Sequence, residues 1–110
     1  MQKIYRLTKR SSFSYIYKKG LVKSNKVLTL HFISATSIKV GVSVSKKIGK
    51  AVTRNLVKRR VKESFRKLIP EIKQKGNYIF VARVGIEALT FDEISREIKS
   101  LLKRAGQFAL

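Results

Sequence analysis

Apolar residues recur at helical spacing in three parts of the chain. Phe13, Ile16 and Tyr17 predict a helix over about Lys9 to Lys19, with Gly20 as its stop. A longer helix is predicted from about Thr53 to Ile69, where Thr53 is a candidate N-cap and Pro70 blocks continuation. A third starts at Thr90, where Thr and Glu three positions apart form a capping box before an apolar stripe.

Strand patterns occupy the segments between these helices. Val27–Ile33 and Lys39–Ser45 alternate in hydrophobicity, and Asn77–Val84 is nearly all apolar, which indicates burial on both faces. The order is therefore α-β-β-α-β-α, with room for a further short strand. This pattern predicts an α/β sandwich in a single domain spanning residues 1–110.

Composition narrows the chemistry that this domain can perform. The chain has no Cys and one His, His31, which excludes disulfides, a thiol nucleophile, a Cys-based zinc site and most His-dependent centres. No apolar stretch is long enough to span a bilayer, and the N-terminus lacks a secretory pattern. We therefore expect a soluble cytoplasmic protein with no membrane partner and no metal site of its own.

Charge indicates the partner. The whole chain has 26 basic and 6 acidic residues, a net charge of +20. Of these, 19 basic residues and one acidic residue precede Leu68. An ordinary solvated face mixes both signs, so this imbalance favours a polyanion, with nucleic acid the leading candidate. The remainder of the chain resembles an ordinary globular surface.

The central helix concentrates this charge on one side. Val57, Val61 and Phe65 fall on a core face, with Ser64 and Leu68 beside them. Like charges at helical spacing on another side oppose one another, and such local conflicts mark functional sites. The predicted anion-binding residues there, with the basic loop before the helix, are Lys46, Lys47, Lys50, Asn55, Lys58, Arg59, Lys62 and Arg66.

Aromatic residues of the first helix allow two interpretations. By spacing alone, Phe13, Ile16 and Tyr17 are core residues, and we keep Ile16 in the core. Phe13 and Tyr17 could instead stack on unpaired bases, which bind aromatic rings with little demand on sequence. His31 shares the less apolar strand face with Thr29, where a base contact and a plain surface role are equally open.

The segment Val40–Arg66 closely resembles the signature of the bacterial ribonuclease P protein component. The matching motifs are Ser-Lys-Lys-Ile-Gly, Arg-Asn, Lys-Arg and Glu-Ser-Phe-Arg, in register. The resemblance implies a two-layer α+β sandwich of the ribosomal protein S5 domain 2-like type, αβββαβα, with a left-handed βαβ crossover. That handedness breaks the usual rule and does not follow from the residue pattern.

The family resemblance also implies a function. The protein would be the accessory subunit of an endoribonuclease that removes the 5′ leader of precursor tRNA. Its partner, a catalytic RNA, would perform the hydrolysis with Mg²⁺ that the RNA mainly holds. The protein itself would supply no catalytic residue and bind no small-molecule substrate.

The same resemblance assigns two binding surfaces. The helix from Arg54 to Arg66 matches the motif that docks on the catalytic RNA, and Leu56 stands where the family usually has Arg. Either one phosphate contact is missing or Arg60 replaces it. The leader-binding cleft would contain Phe13, Tyr17 and His31. With Lys50 added from the basic loop, the full predicted RNA-binding set is Lys46, Lys47, Lys50, Arg54, Asn55, Lys58, Arg59, Lys62 and Arg66.

Two other functions stay open at this point. A structural, ribosomal-type RNA-binding protein would share the basic helix but need no leader cleft. A stand-alone nuclease is the second alternative, although one His and few acids are poor material for a two-metal site.

Overall fold

The computed structural model describes the backbone of residues 10–106 and the side chains of residues 14–106. Element order is α1 β1 β2 β3 α2 β4 α3, which confirms the αβββαβα arrangement. The bounds are α1 Arg10–Lys19, β1 Leu21–Ser24, β2 Leu28–Ser34, β3 Lys39–Ser43, α2 Ala51–Leu68, β4 Gly76–Ala82 and α3 Phe91–Arg104.

The four strands of this region form one sheet in the order β1-β2-β4-β3. β2 pairs antiparallel with both β1 and β4, whereas β3 and β4 are parallel neighbours. Parallel neighbours require a crossover, and α2 provides it between β3 and β4. The left-handed sense of this crossover stays a prediction from the resemblance.

The main core lies between the sheet and a layer made of α2 and α3. The buried α2 side chains Val57, Val61 and Phe65 belong to it, as the helical spacing predicted. Ile94 and Ile98 bring α3 onto the same face of the sheet. The polar tie between the two helices is a 2.8 Å hydrogen bond between the hydroxyls of Ser64 and Ser95.

The opposite face of the sheet carries α1. Ile16 is 1% exposed and packs with Ile79 in a small second cluster, separate from the main core. α1 ends at Lys19 because the chain makes a close approach at Gly20. A Cβ at Gly20 would lie 2.6 Å from the Ile16 carbonyl oxygen and 2.7 Å from that of Phe32.

β1 is the further short strand that the residue pattern allowed but did not locate. Its four residues pair with the middle of β2, from Leu21 opposite Phe32 to Ser24 opposite Thr29. Asn25 holds the turn that follows, because its side-chain oxygen accepts the backbone N–H groups of Val27 and Leu28 at 3.0 and 2.8 Å.

Candidate nucleic-acid interface

The approach to α2 is a basic loop that turns at a glycine. A single 3-10 turn, Lys46–Ile48, buries Ile48 and leaves Lys46 and Lys47 exposed. Gly49 follows with φ 154°, and a Cβ there would lie 3.2 Å from the Thr53 side chain. The helix therefore begins at Ala51, four residues after Lys47.

The helix begins earlier than the sequence predicted. α2 starts at Ala51 with Lys50 as N-cap, and no side chain caps it, so the assignment of Thr53 as N-cap was wrong. The turn at Gly49 is the reason, because it allows the Arg54 amide to donate to the Lys50 carbonyl at 2.9 Å. Thr53 thus lies inside the first turn. That turn contains no acidic residue, so its amides and dipole remain available to an anion.

α3 shows the opposite arrangement at its N-terminus. Thr90 Oγ1 accepts the Glu93 amide at 3.2 Å, and Glu93 Oε1 accepts the Thr90 amide at 2.9 Å, which confirms the capping box. The backbone hydrogen bond from Thr90, followed by its side-chain bond, lowers the pKa of Glu93. The carboxylate of Glu93 therefore caps the N-terminus of α3, whereas no side chain caps the N-terminus of α2.

The outward side of α2 is strongly cationic, and we call the predicted residues there, from Arg54 to Arg66, the α2 cationic face. Glu63 is the one acid of this helix, and it forms a salt bridge of 3.0 Å with Arg66. The hydrogen bond from Arg66 is the main reason why the pKa of Glu63 is lowered. Arg66 is thus partly neutralised, whereas Arg59 is exposed and has no such partner among the described residues.

The structure brings the nine predicted residues to one region around α2 and its preceding loop. Three of them are partly buried, as is common for long basic side chains on a helix. The exposed residues are Lys46, Lys47, Lys50, Asn55, Arg59 and Arg66, and the partly buried ones are Arg54, Lys58 and Lys62. Arg54 also donates to the Gly49 carbonyl at 3.1 Å and so braces the turn.

Arg60 has a structural role. Its Nη1 donates to the Leu89 carbonyl at 2.8 Å and ties α2 to the segment before α3. Arg60 was the candidate to replace the arginine that the family usually has at position 56. The hydrogen bond to Leu89 already engages its guanidinium. Leu56 itself is partly buried on α2. The geometry therefore favours a missing contact at Leu56 over a replacement by Arg60.

Two aromatic side chains, Tyr17 and His31, lie with Val22 on the other face of the sheet. We call these three residues the aromatic platform. Tyr17 is 40% exposed, and its ring meets that of His31 edge-on with centroids 4.8 Å apart. Val22 is opposite His31 in the β1–β2 register and is exposed. The sequence did not suggest Val22, because β1 was not located from the residue pattern. The side chain of Phe13, the third predicted cleft residue, lies outside the described residues.

His31 has an unusual polar environment within this platform. Its Nδ1 is buried and has no hydrogen-bond partner among the described residues. Burial lowers the pKa of His31, so the imidazole is neutral at neutral pH. The unpaired Nδ1 is buried, so a group bound on the platform would meet the partly exposed ring of His31 and not this nitrogen.

Within residues 10–106, no three His, Asp or Glu side chains come together as a metal site. In the same part of the chain, no helix is long and apolar enough to cross a membrane.

The fold and the site together define a small α+β protein with a cationic helix on one side of its sheet and an aromatic platform on the other. The family model for ribonuclease P matches residues 1–106. This chain belongs to the ribonuclease P protein family, and its role is that of the protein subunit of this tRNA-processing enzyme.

Curated relatives and solved structures agree with that membership. The ribonuclease P protein component of Clostridioides difficile is 45% identical over 101 residues, with 89% of each chain covered. That of Clostridium kluyveri is 38% identical, covering 96% of this chain and 97% of its own. The RNase P protein structure from Staphylococcus aureus has a TM-score of 0.87 at 33% identity, covering 94% of this chain and 97% of that one.

Proposed function

We propose that α2 and the loop before it bind the catalytic RNA of ribonuclease P. The observation that carries this proposal is the uncapped N-terminus of α2 among three exposed lysines. The protein leaves this positive helix end open and closes the equivalent end of α3 with Glu93. Phosphate oxygens are the ligands that such a site prefers, because amides, dipole and lysines all favour an anion.

The α2 cationic face extends this site along the helix. Arg59 presents a guanidinium that fits phosphate in a bidentate manner, and Asn55 can add directional hydrogen bonds. The Glu63–Arg66 salt bridge limits the contribution of Arg66. We therefore assign the main phosphate contacts to the first three turns of α2 and to the preceding loop.

The aromatic platform is the proposed binding surface for the 5′ leader of precursor tRNA. Tyr17 offers a ring that is 40% exposed, and the partly exposed ring of His31 lies edge-on to it. Stacking contributes about 1–3 kcal/mol per base and tolerates sequence variation, which a variable leader requires. Because α1 and α2 lie on opposite faces of the sheet, the protein would bridge the leader and the catalytic RNA.

Catalysis is assigned to the RNA subunit. The described side chains do not fit a Mg²⁺ site of this protein, since hard cations prefer clustered carboxylates and no such cluster occurs among them. The Mg²⁺ for phosphodiester hydrolysis is assigned mainly to the RNA, as the family resemblance implies. We place the complex in the cytoplasm, where bacterial transcripts are made.

The test is Mg²⁺-dependent cleavage of precursor tRNA by the RNA subunit with and without this protein. The protein should raise kcat/KM for a precursor that carries a leader, and a variant with Arg59→Gln and Lys50→Gln should need more protein for the same effect. A protein with no effect on cleavage or precursor binding would contradict the proposal. Cleavage by the protein without RNA would favour a stand-alone nuclease.

A further inference from the structure

α3 carries a second basic surface that the charge count along the chain concealed. The distal part of the chain has nearly balanced charge. The fold separates those charges, because the acidic residues Asp92 and Glu93 lie in the first turn of α3. A groove of about 430 Å³ is lined by Arg96, Lys99, Ser100, Lys103 and Arg104. We call these five residues the α3 basic groove.

The basic residues of the groove lie on the side of α3 that faces away from the sheet. Ile94, Ile98, Leu101 and Leu102 turn toward the sheet, so Arg96 and Lys103, seven positions apart, share the outward side. Both are exposed. They are about 10 Å apart along the helix axis, with Lys99 between them. Like charges repeated along one side oppose helix formation, and an anionic ligand removes that cost.

Glu93 contributes little to neutralising Arg96 in this groove. Glu93 is held in its capping box with Thr90, and Arg96 makes only the weakest contribution to its lowered pKa. Glu93 and Glu97 line an adjoining depression on the N-terminal side, and Arg96 lies between this depression and the groove. Arg104 donates to the Ser24 carbonyl at 2.8 Å, which fixes the C-terminal end of the groove against β1.

The groove lies on the same side of the molecule as the α2 cationic face. α2 and α3 pack their apolar sides on one face of the sheet and contact each other through Ser64 and Ser95. Their opposite sides therefore both point away from the sheet. The aromatic platform with α1 lies on the other face. A polyanion bound along α2 can thus extend across α3 on this side of the molecule.

We propose that the α3 basic groove binds a second phosphate-backbone segment of the RNA subunit. This inference rests on the proposed function of α2, because continuity between the two helices selects the RNA subunit over the substrate as the occupant. Arg and Lys at helical spacing complement phosphate without reading sequence. The result is a binding surface two helices wide.

The experiment compares three double variants that each remove two positive charges. The α3 variant is Arg96→Gln with Lys103→Gln, and the α2 variant is Arg59→Gln with Lys62→Gln. The control is Lys73→Gln with Lys75→Gln, exposed residues just before β4 at the opposite end of the sheet from Arg104. Affinity for the RNA subunit is measured against salt concentration.

Each lost phosphate contact should reduce the log–log salt slope by about 0.7 to 0.9. We expect the α3 and α2 variants each to lose about 1.5 in slope and the control to lose clearly less. An α3 variant that coincides with the control overturns the groove. An α2 variant that coincides with the control overturns the proposed function separately.

Two further measurements fix the occupant and exclude folding effects. The exchange Arg96→Lys with Lys103→Arg keeps both charges and should keep the slope, although it alters the same packing. Binding of precursor tRNA to a preassembled complex should be unchanged by the α3 glutamines. A loss confined to this step would assign the groove to the substrate and overturn the RNA subunit as its occupant.

Discussion

Tyr17 and Tyr15 stand two positions apart on α1 but have different surroundings. Tyr17 meets His31 over the sheet, whereas Tyr15 is 57% exposed and takes no part in the aromatic platform. Because residues two apart on a helix face different directions, they form a matched pair. One ring can be removed from the proposed leader site and the other from bulk surface, with the same change in chemistry.

We predict that Tyr17→Ala weakens binding of precursor tRNA to the assembled enzyme by about 1–3 kcal/mol, the usual contribution of stacking on one base. Affinity for mature tRNA should stay unchanged, because it has no leader. Tyr15→Ala should affect neither. Equal losses for precursor and mature tRNA would show that Tyr17 acts through folding and not through the leader.

Protonation of His31 makes the stability of the protein depend on pH. Burial lowers its pKa below the ordinary value of 6.5, so the unfolded chain binds the proton more readily. The free energy of unfolding therefore rises with pH between the folded pKa and 6.5, and this stability is lost as pH falls through that window. Glu63 and Glu93 also have lowered pKa values, but they titrate below 4.5 and do not overlap.

We predict that urea denaturation at pH 7.5 and 5.5 will show a loss of stability for the wild-type chain at the lower pH. His31→Gln should reduce that difference, because glutamine does not titrate there. A loss of the same size in both proteins would assign the pH dependence to other groups.

At the scale of elements, α2 holds two adjacent arginines with different functions. Arg59 is exposed on the α2 cationic face, and Arg60 is tied to the Leu89 carbonyl at 2.8 Å. One therefore serves the proposed interface, and the other connects α2 with the start of α3. The helical turn of about 100° per residue separates the two roles.

We predict opposite outcomes for glutamine at these two positions. Arg59→Gln should lower affinity for the RNA subunit and its salt slope while leaving stability nearly unchanged. Arg60→Gln should lower the free energy of unfolding by about 1–2 kcal/mol, since the Leu89 carbonyl loses a charged donor. Denaturation and binding measured on both variants check this, and a reversed pattern would contradict the assignment.

The helices and strands differ in how well the sequence alone predicted them. Helical periodicity located the buried side of α2 because burial of Val57, Val61 and Phe65 follows directly from spacing. The start of the helix was missed because the turn depends on the backbone at Gly49, which competes with the capping preference of Thr53. The residue pattern allowed β1 but did not locate it, because four residues of an edge strand carry little periodic signal.

The candidate site was predictable to a similar degree. The cationic side of α2 follows from spacing, but the hydrogen bond of Arg60 joins residues 29 positions apart and has no local signal. Val22 joins the aromatic platform only through strand register. The spacing of Arg96, Lys99 and Lys103 was visible in the sequence, but the nearby acids masked it until the fold separated them.

The whole molecule holds a net charge of +20 within extents of 35 × 32 × 25 Å. The sheet divides this body into a helix layer with two basic surfaces and an α1 side with the aromatic platform. Charges on so small a body repel one another over distances close to the Debye length, which is about 10 Å at 0.1 M salt. Charge repulsion is therefore stronger in the folded protein than in the expanded unfolded chain. Bound anions reduce this repulsion and so favour the folded state.

We predict that sulfate stabilises the free protein more than chloride does at equal ionic strength. Screening acts equally in both salts, whereas a divalent oxyanion also binds the open N-terminus of α2 among Lys46, Lys47 and Lys50 and so favours the folded state by mass action. Thermal unfolding followed by circular dichroism measures both salts. Lys46→Gln with Lys47→Gln should reduce the excess effect of sulfate, and Lys73→Gln with Lys75→Gln should leave it. Equal stabilisation by both salts in the wild-type chain would mean that screening alone acts and that α2 does not hold the anion.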